Sequence, residues 1–133
     1  MTELKPGIKG TAVTMADLTN TAAAVGSGIL KVFATPMMIA LMEKAACDGV
    51  APFLYEGEGT VGTKVNITHD SATPVGMKIT AVAELTEVDG RRLMFNVEAF
   101  DEAGRIGGGT HERFIIKNEK FQLKTDAKTV KNE

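Results

Sequence analysis

The chain of 133 residues has no tryptophan, one tyrosine, one cysteine and two histidines. With Cys47 as the only cysteine, no disulfide can form within the chain. We interpret it as a buried helical thiol in a reducing compartment, which indicates a cytoplasmic location. The two histidines and one cysteine lack metal-ligand spacing, so we predict no catalytic metal.

Long apolar runs and a strong charge of one sign are also absent. Nowhere do 18 apolar residues follow one another, and the N-terminus has no apolar stretch of signal length, so we expect no membrane partner. The formal net charge of −2 argues against a nucleic-acid partner. With 44% hydrophobic and 24% charged residues, the chain is typical of one globular domain over residues 1–133.

One helix is clearly marked. Thr35 is in an N-cap position, Pro36 stands at the first helical position and Gly49 lies just past the expected end. Residues three and four apart share a helix face, so Glu43 lies on the same side as Ile39 and other apolar residues. A carboxylate there must be partnered, protonated or at work, unless a modest rotation places it in water as part of a solvated face.

The remaining chain predicts mainly strands. Apolar and alternating segments predict strands at residues 8–16, 61–69, 77–88, 91–101 and 105–117. Residues 17–34 are rich in small side chains and fit either a short helix or a mobile loop. Asp89-Gly90 is a hairpin signal, and we expect a frayed tail from about 122 to 133. This order predicts an α+β domain in which one long helix packs against an antiparallel sheet of about five strands.

Two strand patterns bear on function. Alternation places His69 on an apolar strand face, which is formed by Val61, Thr63, Val65, Ile67 and His69. In the strand at 77–88 both faces carry apolar side chains, with Val82 and Val88 on the second face. A partner subunit would cover what one helix cannot, so we expect a homodimer, with larger assemblies left open.

Thr35, Glu43 and His69 together have the chemistry of a hydrolytic centre, which needs a hydroxyl or water, a base and a carboxylate. Each alone has a plainer interpretation: a helix cap, a solvated carboxylate and a hydrogen-bonded core histidine. Thr35 and Glu43 are separated by roughly 12 Å along the helix axis, too far for their side chains to touch. Either His69 stands between them, or two chains share the site, which is the arrangement we favour.

Two further motifs are weaker. Residues 57–62 match G-x-G-x-x-G, but the pattern leads into a strand and carries a glutamate, so we reject it as a nucleotide loop. His111 and Arg113 share one strand face. They are either a solvated or ion-paired surface or a contact for an anionic substrate tail.

A series of short motifs in order resembles a known family. They are Val32-Phe33-Ala34-Thr35, Leu41-Met42-Glu43, Gly57-Glu58-Gly59, Thr68-His69, Ala72-Thr73-Pro74, Ala83-Glu84-Leu85, Gly90-Arg91-Arg92, Gly109-Thr110-His111-Glu112-Arg113 and Glu119-Lys120-Phe121. Over residues 32–121 the chain resembles the hotdog-fold thioesterases of the fluoroacetyl-CoA thioesterase type. The resemblance implies a long helix wrapped by an antiparallel sheet, paired as a dimer with sites near the interface.

The implied reaction is hydrolysis of an acyl-CoA thioester, with coenzyme A entering as part of the substrate and no separate cofactor. Thr35 would attack or position the acyl group, His69 would act as general acid/base, and Glu43 would polarise His69 or activate water. The amide of Met37 is a candidate donor to the thioester oxygen. For substrate contacts we expect Phe33, Gly76 and Arg113, with Arg91 and Arg92 less central.

The chain also departs from the resemblance. Residues 19–31 contain no aromatic side chain, and Pro36 stands where the specialised enzyme has a smaller residue. A lid of Ala, Gly and Ser closes less tightly over a small acyl group, so we predict a broader short-chain acyl-CoA thioesterase. The alternatives are a non-catalytic acyl-CoA binding protein and an enoyl-CoA hydratase of related fold.

Overall fold

The structure, a computed structural model, describes residues 3–130. Its elements in chain order are β1 (Lys9–Met15), α1 (Ala22–Val25), α2 (Thr35–Val50), a 3₁₀ turn (Ala51–Phe53), β2 (Glu58–His69), β3 (Lys78–Asp89), β4 (Arg92–Asp101), β5 (Gly104–Lys117) and α3 (Asn118–Asp126). The five predicted strands, the long helix and the hairpin at Asp89-Gly90 are confirmed. The segment left open between helix and loop contains the short helix α1.

All five strands form one antiparallel sheet in the order β1-β3-β4-β5-β2. The sheet curves around α2, which packs against β1 and β3 and also contacts β4 and β2. The core consists of inward-facing side chains from both layers. The largest fully buried apolar ones are Phe33, Met38, Met42, Val50, Ile79, Leu85, Leu93, Phe95, Val97 and Ile106. Each large apolar side chain buried there contributes about 1.5–3 kcal/mol to folding. The predicted α+β architecture is confirmed.

The ends of α2 differ from the prediction. Ala34 is the N-cap, with φ −75° and ψ 139°, and no side chain within the described part of the chain caps the helix. Thr35 is therefore the first helical residue, and its hydroxyl is left for another partner. At the other end Gly49 is inside the helix, which continues to Val50. Gly49 packs on the backbone of Gly10 in β1, where any side chain would be within 2.9 Å of Gly10 Cα.

Two β-bulges change which side chains face the core. Between Gly62 and Lys64 of β2 the register shifts, so Thr63 points to the outer face and its hydroxyl donates to Glu112 Oε2 at 2.7 Å. The predicted single face is therefore wrong for Val61 and Thr63, whereas Ile67 and His69 remain on the core side.

A second shift, between Leu85 and Glu87 of β3, turns Val88 toward the core, against which it packs. The prediction that Val88 shares an outer face with Val82 is wrong. The outer face is largely polar, and Arg105 bridges Glu98 and Asp70 there at 3.0 Å each. The sheet face therefore gives less reason for a partner than the sequence suggested.

The chain after β5 does not fray at once. Residues 118–126 form the exposed helix α3, so the expectation of a frayed tail from about 122 is wrong as far as Asp126. Residues 127–130 form no helix or strand, and residues 131–133 of the predicted tail lie outside the described residues. Within residues 3–130, no helix has the length and hydrophobicity needed to cross a bilayer.

The packing of Gly49 on Gly10 predicts that Gly49→Ala destabilises the protein. Alanine gains about 1 kcal/mol in helix propensity, but the added methyl group meets backbone that cannot give way, a cost of about 1–3 kcal/mol or more. Ala40→Gly, at an exposed position of the same helix, is the matched control and should cost about 1 kcal/mol through propensity alone. Chemical denaturation measures both, and a stabilising Gly49→Ala would contradict the close packing.

Candidate active site

Thr35 and His69 meet at one end of the molecule. Thr35 opens α2 and His69 is the last residue of β2, and a hydrogen bond of 2.7 Å joins Thr35 Oγ1 to His69 Nδ1. The neighbouring chain fixes both: the amide of Phe33 donates to Thr73 O at 2.9 Å, and His69 pairs with Gly107 of β5. Because Thr35 does not cap the helix, its hydroxyl can form this hydrogen bond with the His69 imidazole.

A small cleft opens at this pair. It has a volume of about 280 Å³ and is lined by Ala22, Ser27, Val32, Phe33, Thr35, His69, Asp70, Ser71 and Ala72. The Thr35 hydroxyl is exposed, so an acyl group in the cleft would reach it. His69 Nε2, by contrast, is buried and has no hydrogen-bond partner among residues 3–130. Nδ1, which is hydrogen-bonded to Thr35, is therefore the ring nitrogen that is placed for proton transfer.

Glu43 belongs to a second cluster, built around Arg113. Its Oε2 accepts from Arg113 Nη1 at 3.4 Å and lies 4.0 Å from His111 Nε2. The remaining donors of Arg113 go to Thr60, with Nε to Oγ1 at 2.8 Å and Nη2 to the carbonyl oxygen at 3.0 Å. Arg113 and His111 are both buried, so their interpretation as a solvated surface is wrong.

The Glu43 side chain is 41% exposed. Its carboxylate is therefore accessible from solvent although it is paired with Arg113. It flanks the buried stripe of α2, whose centre is formed by Met38, Leu41, Met42, Ala45, Ala46 and Val50. Gly62 leaves the space for the carboxylate, because a Cβ at residue 62 would collide with Glu43 Oε2. Sequence reasoning missed Thr60 and Gly62, and a glycine inside a strand was the available signal for close approach.

His111 is neutral in this cluster. Its Nδ1–H donates to Lys64 O at 2.8 Å, and Nε2 accepts from Arg113 Nη1 at 3.1 Å. Burial lowers the pKa of His111 below its ordinary value, and the positive charge of Arg113 acts in the same direction. A neutral imidazole can accept from Arg113 without adding a second buried positive charge.

The two clusters are well separated within one chain. Glu43 lies beside Gly62, and His69 is seven residues further along β2, or roughly 20 Å at the rise of a strand. His69 therefore does not stand between Thr35 and Glu43. One chain carries a hydroxyl–imidazole pair at one end of β2 and a carboxylate near the other.

The other predicted contacts take different positions. Phe33 lines the cleft, although it is otherwise buried. Gly76 lies in the turn before β3 with φ 106°, and its amide donates to Ala16 O at 2.7 Å. The amide of Met37 already donates to Ala34 O at 3.0 Å. Contrary to the expectation, it is therefore not free to donate to a thioester oxygen. Residues 3–130 include no group of three or more potential metal ligands.

Comparison with known proteins identifies the fold and family. The fluoroacetyl-CoA-specific thioesterase family matches residues 13–119. A fluoroacetyl-CoA thioesterase from Streptantibioticus cattleyicolor is 50% identical over 99 residues, which are 74% of this chain and 71% of that protein.

Solved structures agree with this assignment. The fluoroacetyl-CoA thioesterase FlK superposes with a TM-score of 0.91 and 38% identity, over 97% of this chain and all of that one. A thioesterase superfamily member from Thermus thermophilus has a TM-score of 0.85 and 30% identity, covering 95% and 93% of the two chains. The fold and these matches thus define a hotdog-fold thioesterase, as predicted. Within that class, the chain belongs to the fluoroacetyl-CoA-specific thioesterase family.

The environment of His111 predicts a pH-dependent stability. Because the pKa of His111 is lowered by folding, this residue becomes protonated below about pH 6.5 in the unfolded chain but stays neutral to lower pH in the folded one. The free energy of unfolding therefore falls as the pH decreases, by at most about 1.4 kcal/mol per pH unit. In His111→Gln the amide can donate to Lys64 O and accept from Arg113 without titrating. Denaturant unfolding of both proteins between about pH 5 and 8 should show wild type losing its advantage at low pH. A difference independent of pH would contradict the assignment.

Proposed function

We propose that this protein hydrolyses short-chain acyl-CoA thioesters to free acid and coenzyme A, at a site made of Thr35 and His69 from one chain and Glu43 from a second copy. As a member of its family, the chain is an acyl-CoA thioesterase. The observation that carries the shared site is the separation of the Thr35–His69 pair from the Glu43 carboxylate along β2.

The position of β2 supports this pairing. It is the last strand of the sheet order, so within residues 3–130 only one of its edges is hydrogen-bonded, to β5. Exposed main-chain groups on an edge strand can pair with another chain. Antiparallel pairing of two β2 strands about a twofold axis between Val65 and Asn66 would set His69 of one copy opposite Gly62 of the other. Glu43 lies beside Gly62, so each dimer would contain two complete sites.

The chemistry of the hydroxyl–imidazole pair follows from its geometry. Thr35 Oγ1 donates its proton to His69 Nδ1 as the oxygen attacks the thioester carbonyl, and the carbon–sulfur bond then breaks. The departing thiolate takes the proton from His69, leaving an acyl-threonine ester. Covalent catalysis of this kind divides one difficult displacement into two easier ones.

Glu43 is assigned to the second step. Since His69 Nε2 is buried by its own chain, a carboxylate from outside has no direct access to it. The accessible Glu43 carboxylate instead removes a proton from the water that attacks the acyl-threonine ester, and this proton returns to Thr35 Oγ1 as the ester bond breaks and the free acid leaves. Arg113, held by Thr60 and His111, fixes the position of that carboxylate. This makes Arg113 a positioning residue rather than a direct substrate contact.

The wall of the cleft favours a broad substrate range. Ala22 and Ser27 line it, and the following turn exposes Ile29 at 91% and Leu30 at 63%. No aromatic ring from this segment covers the acyl group, so the closure that would distinguish one small substituent from another is weak.

The alternatives are less well supported. Neither acyl-CoA binding without turnover nor hydration of an enoyl-CoA calls for a short hydrogen bond between an exposed threonine and a histidine. Release of free thiol from acyl-CoA esters separates hydrolysis from both. The cytoplasmic location, the absence of cofactor, membrane or nucleic-acid partners, assembly beyond a dimer, and the substrate contacts of Phe33 and Gly76 remain predictions.

Mixing inactive variants tests the shared site. Thr35→Ala and Glu43→Ala chains should each be inactive alone, whereas co-refolded mixtures should recover about a quarter of the wild-type activity. Half of randomly formed dimers combine the two variants, and each such dimer has one intact site. Thiol release from acetyl-CoA is the measurement.

Thr35→Ser is the matched control, because it keeps the hydroxyl and should stay active. Mixtures that remain inactive, although native mass spectrometry shows the mixed dimer, would rule out a site shared between chains.

The open cleft predicts weak selectivity. Values of kcat/KM for acetyl-CoA and fluoroacetyl-CoA should agree within about tenfold, because a single small substituent in a loose pocket contributes only about 1 kcal/mol of discrimination. Steady-state thiol-release assays over a series of acyl chain lengths check this. Strong preference for fluoroacetyl-CoA over acetyl-CoA would contradict it.

A further inference from the structure

Four basic side chains gather where the sheet meets α3. A concave surface of about 260 Å³ is lined by Arg91, Ile116, Lys117, Lys120, Phe121 and Lys124, which we call the basic corner. Arg91 comes from the turn between β3 and β4, and the three lysines come from the end of β5 and from α3. Among residues 3–130 no carboxylate lines this surface, although Glu56, Glu58 and Glu119 line the adjoining cavity that shares Lys117 and Lys120.

These four positive charges lie together although the chain as a whole has a net charge of −2. Elsewhere among residues 3–130, Lys44, Arg92, Arg105 and Arg113 form ion pairs with acidic side chains. Six scattered lysines form none: Lys5, Lys9, Lys31, Lys64, Lys78 and Lys128. Among residues 3–130, none of the four cations of the basic corner forms an ion pair. Like charges held close together repel one another, so such a cluster is more favourable when an anion binds to it.

The basic corner lies within reach of the carboxylate half of the site. Lys117 is paired with Glu58 across β5 and β2. From Glu58 to Gly62, next to Glu43, is four residues of strand, or roughly 13 Å. A ligand whose reactive end is at Glu43 could therefore reach the basic corner of the same chain with an extended tail.

We propose that the basic corner binds the phosphate groups of the coenzyme A portion of the substrate. The inference rests on the proposed function, since it concerns the non-reacting end of the same thioester. Arg91 offers a planar fork of donors and the lysines offer point charges, both suited to phosphate oxygens. Phe121 is 43% exposed, and its ring provides a surface on which the adenine can stack.

A double charge reversal, Lys120→Glu with Lys124→Glu, tests the proposal. The two substrates are acetyl-CoA and S-acetyl-N-acetylcysteamine, which presents the same thioester without phosphates. For acetyl-CoA the KM should rise about tenfold or more, because charge-assisted contacts are lost, with little change in kcat. Kinetics with the short thioester should stay unchanged. The matched control, Lys5→Glu with Lys78→Glu, changes the net charge equally at exposed positions outside the basic corner.

The outcomes are distinguishable. If wild type hydrolyses both thioesters but the double variant keeps its KM for acetyl-CoA, the basic corner is not the phosphate site and the proposed function stands. If wild type hydrolyses neither thioester, the proposed function itself fails. An equal rise in KM with the control pair would mean general charge attraction and overturn the assignment. Inhibition by adenosine 3′,5′-bisphosphate, lost only in the double variant, would support it, whereas inhibition by inorganic phosphate alone would count against an adenine contact.

Discussion

The buried guanidinium of Arg113 is the constraint on which the position of the Glu43 carboxylate depends. A positive charge inside a protein needs an opposite charge and full hydrogen bonding, and Glu43 and Thr60 supply these. The neutral His111 accepts a further bond without adding charge. Gly62 keeps the space open, so strand, helix and carboxylate hold one another in a fixed arrangement. A group fixed in this way needs little reorganisation when a reaction occurs beside it.

The sequence predicted the repeating parts of the fold well. Helical periodicity from Thr35 and strand alternation each report on many residues at once, so one exception does not hide the pattern. The bulge at Thr63 was not predictable, because a single inserted residue changes the facing of a strand without a distinct local composition. The glycine at residue 49 predicted a helix end. The structure instead explains it by the close contact with Gly10, some 40 positions earlier in the chain.

The candidate site was predictable in its residue types but not in its arrangement. Thr35 fitted the rule for a helix cap, yet its hydroxyl is joined to His69, which only the meeting of α2 and β2 reveals. The helix rise correctly separated Thr35 from Glu43. Nothing in the spacing of His111 and Arg113 distinguished a surface pair from a buried one, because burial depends on tertiary contacts such as those of Phe95 with His111 and of Glu43 with Arg113. Periodicity singled out Glu43 and His69 as polar residues on apolar faces, and the family resemblance then supplied their expected roles.

The unpaired edge of β2 has a consequence for how this chain is made. The strand is 12 residues long, and it can capture any extended segment that meets it during synthesis. Thr63 and Lys64 interrupt the edge with a bulge and a charge, which discourages indiscriminate pairing. Burial of this edge against a specific partner would protect newly synthesised chains from aggregation. Selection for solubility and selection for catalysis would therefore act on the same strand.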